Sequence, residues 1–586
     1  MLKKWDLTAI FNSGNEWSDS FNEVKKQIRQ LKNYETKLGE FKSFDEYYTF
    51  NENLFKEIRK LAVYAHMQND LNTKEVHNDK KYKEIMMVYS DYTQANAFSR
   101  PEKLSTGKDK INKFLEKSKK LQEYKFEIEN LFRMQEHILD KDKESIIANF
   151  SQSSNIASNL YSGLANADNS SEMVTLSNGE EIEVTNSNYR KYLAELNNQE
   201  DRFNVFKSVF SHYANHKNTY AAIYDSRVQA DWANAKSRNY SSSLESYLFN
   251  DNVPKEVYLT LINTTKQNSK PIKKYIELRK KVLNIKDYCT YDRFLPLVKS
   301  KSNYSYEEAL KLFEKAASKI PGEFNEYAKI ALQDGQVDVY EKPGKRTGAY
   351  STSIYGYNPF ILLNYDNSLG DVLTVAHEAG HSMHTLFASK AQPFATAGYT
   401  IFVAEVASTF NEHLLLDYLF DNLTDNNEKI VLLQQAIDDI LGTFYRQSLF
   451  ADYEYQAHKL VEEGNPITYS ALSTIMRNLY REYYDLDLEN EEVKEFVWAY
   501  IPHLFYTPFY VYKYATSYAA SLKIYEDVKN GKQGALDRYL GLLKSGGSEY
   551  PVDQVKKAGV DLTTKDPFVA VVNRLDELIS KLQEVL

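Results

Sequence analysis

From the N-terminus to about residue 165, apolar residues recur at three- and four-residue steps. Phe21, Val24, Ile28 and Leu31, with lysine and glutamate between them, predict an amphipathic helix. The same period returns over 82–92 and 128–138, and the lysines of 108–120 are interleaved with acids, as on a solvated helix surface. Ser151–Asn169, rich in Ser and Asn, predicts a break. Beyond it, Met173–Val184 alternates apolar and polar residues around Asn178-Gly179, a strong short-range hairpin signal. The pattern predicts an N-terminal helical domain over 1–190 with the hairpin near its end, and a second domain over 191–586. Helices resume in the second domain, where 337–365 is the one further β-like segment.

Composition narrows the class. Only 13 Pro and 21 Gly punctuate 586 residues, so long helices dominate and the fold class is mainly α. With 42% hydrophobic and 26% charged residues the chain has a globular balance, which excludes disorder and collagen-like repetition. A net charge of −9 argues against nucleic acid as a partner, because phosphate binding needs a basic footprint. No apolar run approaches the roughly 18 residues of a membrane span. A single cysteine, Cys289, cannot form an internal disulfide, and no apolar stretch after Lys3-Lys4 resembles a signal peptide, so the expected location is cytoplasmic. The 46 tyrosines are expected mostly as half-buried packing residues with wet hydroxyls.

The chemistry concentrates in Thr374–His384. Upstream, Ser368-Leu369-Gly370-Asp371 predicts a capping box, with Ser368 as N-cap and Asp371 reaching back. On the helix that follows, His377 and His381 stand four residues apart and share one face. That spacing lets both imidazoles reach one zinc at about 2.0–2.1 Å, while Glu378 beside them takes a proton from the attacking water. His384 lies about 10.5 Å of helix axis beyond His377, too far for the same ion, so it is expected to pack behind the ligands.

The expected third ligand is Glu405. Pro393 and Gly398 would turn the chain back, and a helix starting near Ile401 would carry Glu405 in its first turns among apolar neighbours. A carboxylate there needs a partner, and a metal is a natural one; the other reading is a first-turn glutamate stabilised by the helix dipole. Glu412 falls on the same face and could orient a histidine from behind, or lie at the surface. Two histidines and a carboxylate leave an open coordination position, as in a catalytic site for metal-assisted hydrolysis. Oxyanion donors could come from Ile501–Tyr514, where Pro508 breaks a His- and Tyr-rich stretch that could equally be an aromatic packing cluster.

His377-Glu378-Ala379-Gly380-His381, Glu405 and the stretch His503–Tyr514 resemble the thimet oligopeptidase family of zinc peptidases, and the oligoendopeptidase F branch in particular. Gly344–Ser351, Arg446-Gln447, Gly546-Gly547-Ser548 and Trp5-Asp6-Leu7 extend the likeness over nearly the whole chain. The resemblance implies a gluzincin-type, two-lobed helical body with a deep central channel and a small sheet beside the zinc helix. It implies one zinc per chain held by His377, His381 and Glu405, with Glu378 as general base. It implies His503 and tyrosines as transition-state donors, with Tyr512 as the main donor and Tyr506 and Tyr510 as substrate contacts. Gly348, Ala349 and Tyr350 look like part of an edge strand to which an extended substrate adds; a plain turn between strands is the alternative.

The expected activity is a zinc endopeptidase acting on short oligopeptides, with residues 191–586 as the catalytic domain. Two rivals stay open. A zinc carboxypeptidase would need a cation for the substrate C-terminus, for which Arg346 and Arg446 are available; a non-enzymatic peptide-binding scaffold would keep the metal site as a relic. Gly380 inside the motif helix costs roughly 1 kcal/mol relative to Ala, so close packing against a neighbouring element is expected.

Overall fold

The computed structural model describes residues 3–140, 143–144, 146–147, 155–299, 303–488 and 491–586. Helices carry most of these residues, as expected. The strands are the hairpin of β1 (Glu172–Thr175) and β2 (Glu181–Val184), and a sheet of β3 (Val337–Asp338), β4 (Tyr350–Thr352) and β5 (Phe360–Leu362). The first amphipathic period lies in helix Gly14–Gln30, which buries Trp17, Val24 and Ile28. The other two fall in helices Val76–Ala95 and Lys125–Met134.

The expected break over 151–169 is helical over 156–167. Residues 151–154 lie outside the described residues; helix Ile156–Ser162 then runs into a π-helical turn, Gly163–Ala167. Ala157, Tyr161 and Ala165, spaced by four, are all buried. Their packing outweighs the weak helix preference of the Ser and Asn residues between them.

By compactness the chain forms two units of three segments each. One comprises Met1–Glu136, Ser302–Asp421 and Ile524–Val560; the other comprises His137–Lys301, Asn422–Lys523 and Asp561–Leu586. This partition differs from a single cut near residue 190, because the first unit's core joins segments far apart in sequence. Trp5 donates its indole N–H to the Ile361 carbonyl at 2.8 Å, and Phe360 and Leu362 share one apolar cluster with Phe44, Ile58 and Leu61.

In the first unit, helix Phe41–Leu71 packs against helices Gly14–Gln30 and Val76–Ala95. Helix Leu369–Ala391, which carries the HExxH motif, packs against helices Tyr306–Ala317, Glu323–Ala331 and Ala535–Lys544 and against β4. The sheet order is β3-β5-β4, with β3 parallel and β4 antiparallel to β5, so β4 is an edge among the described residues.

The second unit's core includes many aromatic rings among its aliphatic residues. Trp498, Tyr220, Tyr224, Tyr258, Tyr453 and Tyr483 are essentially inaccessible. Several tyrosine hydroxyls are therefore not wet: Tyr258 donates to the Ala451 carbonyl at 2.6 Å, Tyr445 to Asn268 at 2.8 Å and Tyr483 to Ile262 at 3.0 Å. Each such bond relieves the cost of burying the phenol.

Candidate active site

Ser368 caps the motif helix by accepting the Asp371 N–H at 3.1 Å. The reciprocal arm of the expected capping box is replaced: the Ser368 N–H goes to Asp366 at 3.0 Å, and Asp371 accepts the Asp366 N–H instead. Gly380 sits where this helix crosses helix Ile401–Asn422. A Cβ built on it would stand 2.6 Å from both the Ala407 carbonyl oxygen and the Ser408 Cα. Only glycine permits that approach, and the approach brings Glu405 and Glu412 to the two histidines.

The donor atoms then converge. His377 Nε2 and His381 Nε2 are 3.1 Å apart, and Glu405 Oε2 lies 3.4 Å from the first and 3.5 Å from the second. A tetrahedral ion at about 2.0–2.1 Å from each donor sets its ligands about 3.3 Å apart, so this triangle fits zinc. Among the described residues it is the group of three His, Cys, Asp or Glu side chains placed to hold a metal. Glu412 accepts a hydrogen bond from His377 Nδ1 at 2.5 Å, which leaves the Nε2 lone pair facing the triangle. Ser408, which sequence spacing did not single out, donates to Glu405 Oε2 at 3.0 Å and steadies that carboxylate.

Burial and charge set the protonation states. Burial opposes a charge on His377, yet Glu412 at its Nδ1 lifts it to about 9. Burial, and the charge on His377, take His381 down to about 4. Two nitrogens 3.1 Å apart hold at most one proton between them, or a cation. Burial pushes the Glu378 carboxyl up to about 7, with His377 pulling the other way. Its Oε2 is buried without a hydrogen-bond partner, an acceptor held ready at the wall of a cavity.

That cavity, of about 1120 Å³, is lined by His377, Glu378, His381 and Glu405, by β4, and by N-terminal helices, among them Phe41–Leu71 with Tyr48 and Glu52 and Val76–Ala95 with Tyr92. Ser351 of β4 is tied to Ser382 of the motif helix by a hydroxyl bond of 2.9 Å. Gly348 has φ +83° with open space around it, so glycine is needed there for the left-handed turn into β4 rather than for close approach. Ala349 and Tyr350 line the cavity, and the Tyr350 hydroxyl donates to Asp70 at 2.7 Å.

His384 lies behind this site. It is fully buried and stacks on Tyr399 at 3.7 Å, and neither ring nitrogen has a hydrogen-bond partner. Burial takes it down to about 3, so the ring is neutral packing. Arg346 is engaged by Asp70 at 3.3 Å and by His66 at 3.1 Å.

The His/Tyr stretch belongs to the second unit. Helix His503–Tyr506 and helix Tyr512–Lys529 flank Pro508. His503 stacks on Tyr510 at 5.8 Å and meets Tyr514 edge-on at 6.0 Å, a contact that brings in Tyr514 beyond the residues first singled out. His503 and Tyr506 line a second cavity. Tyr512, the expected main donor, is 1% exposed and packs on Tyr258, so in this conformation it is a core residue.

Comparison with known proteins identifies the family. The sequence profile of peptidase family M3 matches residues 192–574, and that of oligopeptidase F matches 102–169. The chain is 35% identical over 586 residues to oligopeptidase PepF of Bacillus subtilis, covering 99% of this chain and 87% of that protein. It is 33% identical over 586 residues to the plasmid-encoded oligoendopeptidase F of Lactococcus lactis subsp. cremoris, covering 99% and 97%. The crystal structure of oligoendopeptidase-F from Enterococcus faecium superimposes with a TM-score of 0.75 at 27% identity, covering 97% of this chain and 99% of that one. A candidate peptidase from Chlamydophila abortus gives 0.92 at 32% identity, covering 100% and 98%.

Proposed function

The chain belongs to peptidase family M3, and from that membership we propose that it is a zinc metalloendopeptidase hydrolysing internal bonds of short oligopeptides. The family is generally zinc-dependent. The observation that carries the reading is the triangle of His377, His381 and Glu405 beside the unpartnered Glu378 Oε2. These three residues would hold one zinc ion. When bound, the ion supplies Lewis acidity, polarising the scissile carbonyl and acidifying a water molecule.

The remaining work falls to the chain's own groups. Glu378 Oε2 takes a proton from the attacking water and delivers it to the leaving amine. Glu412 fixes the His377 tautomer, and Ser408 fixes the Glu405 carboxylate. The free edge of β4 would take the substrate as an added strand beside the motif helix. His503, Tyr510 and Tyr506 are the proposed oxyanion donors in preference to Tyr512: His503 and Tyr510 stack together and Tyr506 is exposed, whereas Tyr512 is buried. Residues 191–586 remain the proposed catalytic portion, supported by an M3 match that begins at 192. The N-terminal helices wall the site. The cytoplasm remains the proposed location, testable by cell fractionation.

The test is an N-acetylated, internally quenched octapeptide whose products are identified by mass, with and without a chelator. The proposal expects cleavage at internal bonds, lost on chelation and restored by zinc. Release of C-terminal residues alone would make the enzyme a carboxypeptidase, and an intact peptide with zinc bound would favour a binding scaffold.

A further inference from the structure

We propose that the second unit carries a carboxylate-binding subsite, built from Arg293, Arg446 and Lys494, that receives the C-terminal carboxylate of the oligopeptide substrate. Naming the ligand as a substrate rests on the peptidase reading above; the anion site itself does not.

The three cations line one cavity of about 990 Å³. They come from distant parts of the chain, and irregular backbone introduces each. Arg293 belongs to the 3-10 helix Thr290–Phe294, and Arg446 follows the π-helical turn Leu441–Tyr445. Lys494 follows Val493, a β-branched residue held at φ +62°. Such a conformation is strained for valine, and π-helical turns are frequent at functional sites.

None of the three side chains has a carboxylate or hydrogen-bonding partner among the described residues. Their close contacts are aromatic faces: Arg293 over Phe294 at 4.4 Å, Arg446 over Phe450 at 5.3 Å, and Lys494 over Tyr480 at 5.3 Å. The nearby acids are otherwise engaged. Glu491 accepts both the N–H and the hydroxyl of Thr290, at 2.8 and 2.6 Å. Asp438, in the cavity wall, accepts from Tyr275 at 3.3 Å and Gln434 at 3.4 Å. A fourth cation, Arg190, bonds only the phenols of Tyr189 and Tyr500 among the described residues. Burial, followed by repulsion from Arg446 and Arg293, lowers Lys494 to about 7. Asp438 and Asp439 also line the cavity, yet none of the three cations has a carboxylate within ion-pairing distance among the described residues, and enclosed charges are ordinarily paired, so the cluster is open to a further anion. Two guanidinium forks suit a carboxylate, which each can hold through two parallel bonds.

The cavity itself favours the peptide terminus over other anions. His503 and Tyr506 line the same cavity as the cations. The apolar walls, Ile276, Phe294 and Phe450, suit a terminal side chain. Every linear oligopeptide brings one α-carboxylate whatever its sequence, so this anchor would hold short substrates without restricting their composition.

The test uses full-length, zinc-loaded Glu378→Gln protein, titrated with an N-acetylated apolar tripeptide as its free acid and as its C-terminal amide. The acid should bind at least about tenfold more tightly, as expected for a charge-assisted carboxylate contact. In Arg446→Met and, separately, Arg293→Met, the gap should close to within about twofold. Their Tm should hold or rise, because each removes one charge from a repelling cluster; a residue needed for folding would lower it. Arg446→Lys should restore part of the gap. Equal binding of acid and amide overturns the proposal. So does a gap that survives both Met variants, and so does phosphate binding that those variants abolish while peptide binding is untouched. If the amide of a tripeptide ending in Glu binds like the free acid, the site reads acidic side chains and the C-terminal assignment falls. Failure of the parent enzyme to cleave any peptide would instead count against the peptidase reading and leave these titrations interpretable.

Discussion

At the scale of single residues, the two acids on helix Ile401–Asn422 have separable tasks. Glu405 completes the donor triangle, whereas Glu412 acts on His377 from behind. Glu405→Ala is expected to lose bound zinc, while Glu412→Ala keeps it with about 10–100-fold weaker affinity; metal content after dialysis against graded chelator measures both. A different acid, Glu454, governs a pH effect in the second unit. It is fully enclosed, and burial raises it to about 8, with the nearby His458 opposing and Asp231 reinforcing the shift. Its folded pKa thus exceeds its unfolded value of about 4.5, so the folded state holds the proton more tightly between them. The penalty for ionising it is absent below about 4.5 and complete above about 8. Glu454→Gln should therefore gain Tm over the parent progressively as pH rises from 5 to 9. A gain that is flat or shrinks with pH would contradict this sign.

At the scale of elements, the crossing of the motif helix with helix Ile401–Asn422 is the controlling joint. The HExxH spacing and Glu405 were legible because both lie on helices, where a fixed period converts sequence distance into a shared face. The need for a close neighbour at Gly380 was legible too, but its identity was not, since only tertiary packing puts Ala407 and Ser408 against it. Gly380→Ala gains helix propensity yet forces a methyl into backbone, so a net destabilisation of about 1–3 kcal/mol is expected, with weaker zinc binding in parallel. Chemical denaturation with the metal content followed alongside checks it. The strands beside the site were visible only as one β-like segment, because runs of two or three residues show no alternation. The burial of Tyr512 is not legible for a related reason: its spacing from His503 reports nothing about which phenol the fold encloses.

At the scale of the whole molecule, compactness does not follow chain order. Each unit gathers three segments, so composition shifts along the chain could not reveal the partition, and Arg293, Arg446 and Lys494 could not be seen as neighbours. Cutting at residue 190 would strip the first unit of Trp5, Phe44, Ile58 and Leu61, which share a core with Phe360 and Leu362. A fragment of 191–586 is therefore expected to aggregate or to lack a cooperative thermal transition by calorimetry, whereas the intact chain shows one. A soluble, cooperatively folding 191–586 fragment would mean that the N-terminal helices merely cover the catalytic portion.

The central claim, that Glu378 moves the proton in a zinc-dependent cleavage of internal peptide bonds, is tested most directly by one paired assay. Zinc content and internal cleavage of the N-acetylated octapeptide would be measured on the parent and on Glu378→Gln. The account predicts one zinc per chain in both proteins and a kcat lower by about 10²–10⁴-fold in the variant. A variant that keeps its zinc and turns over at the parental rate would contradict it.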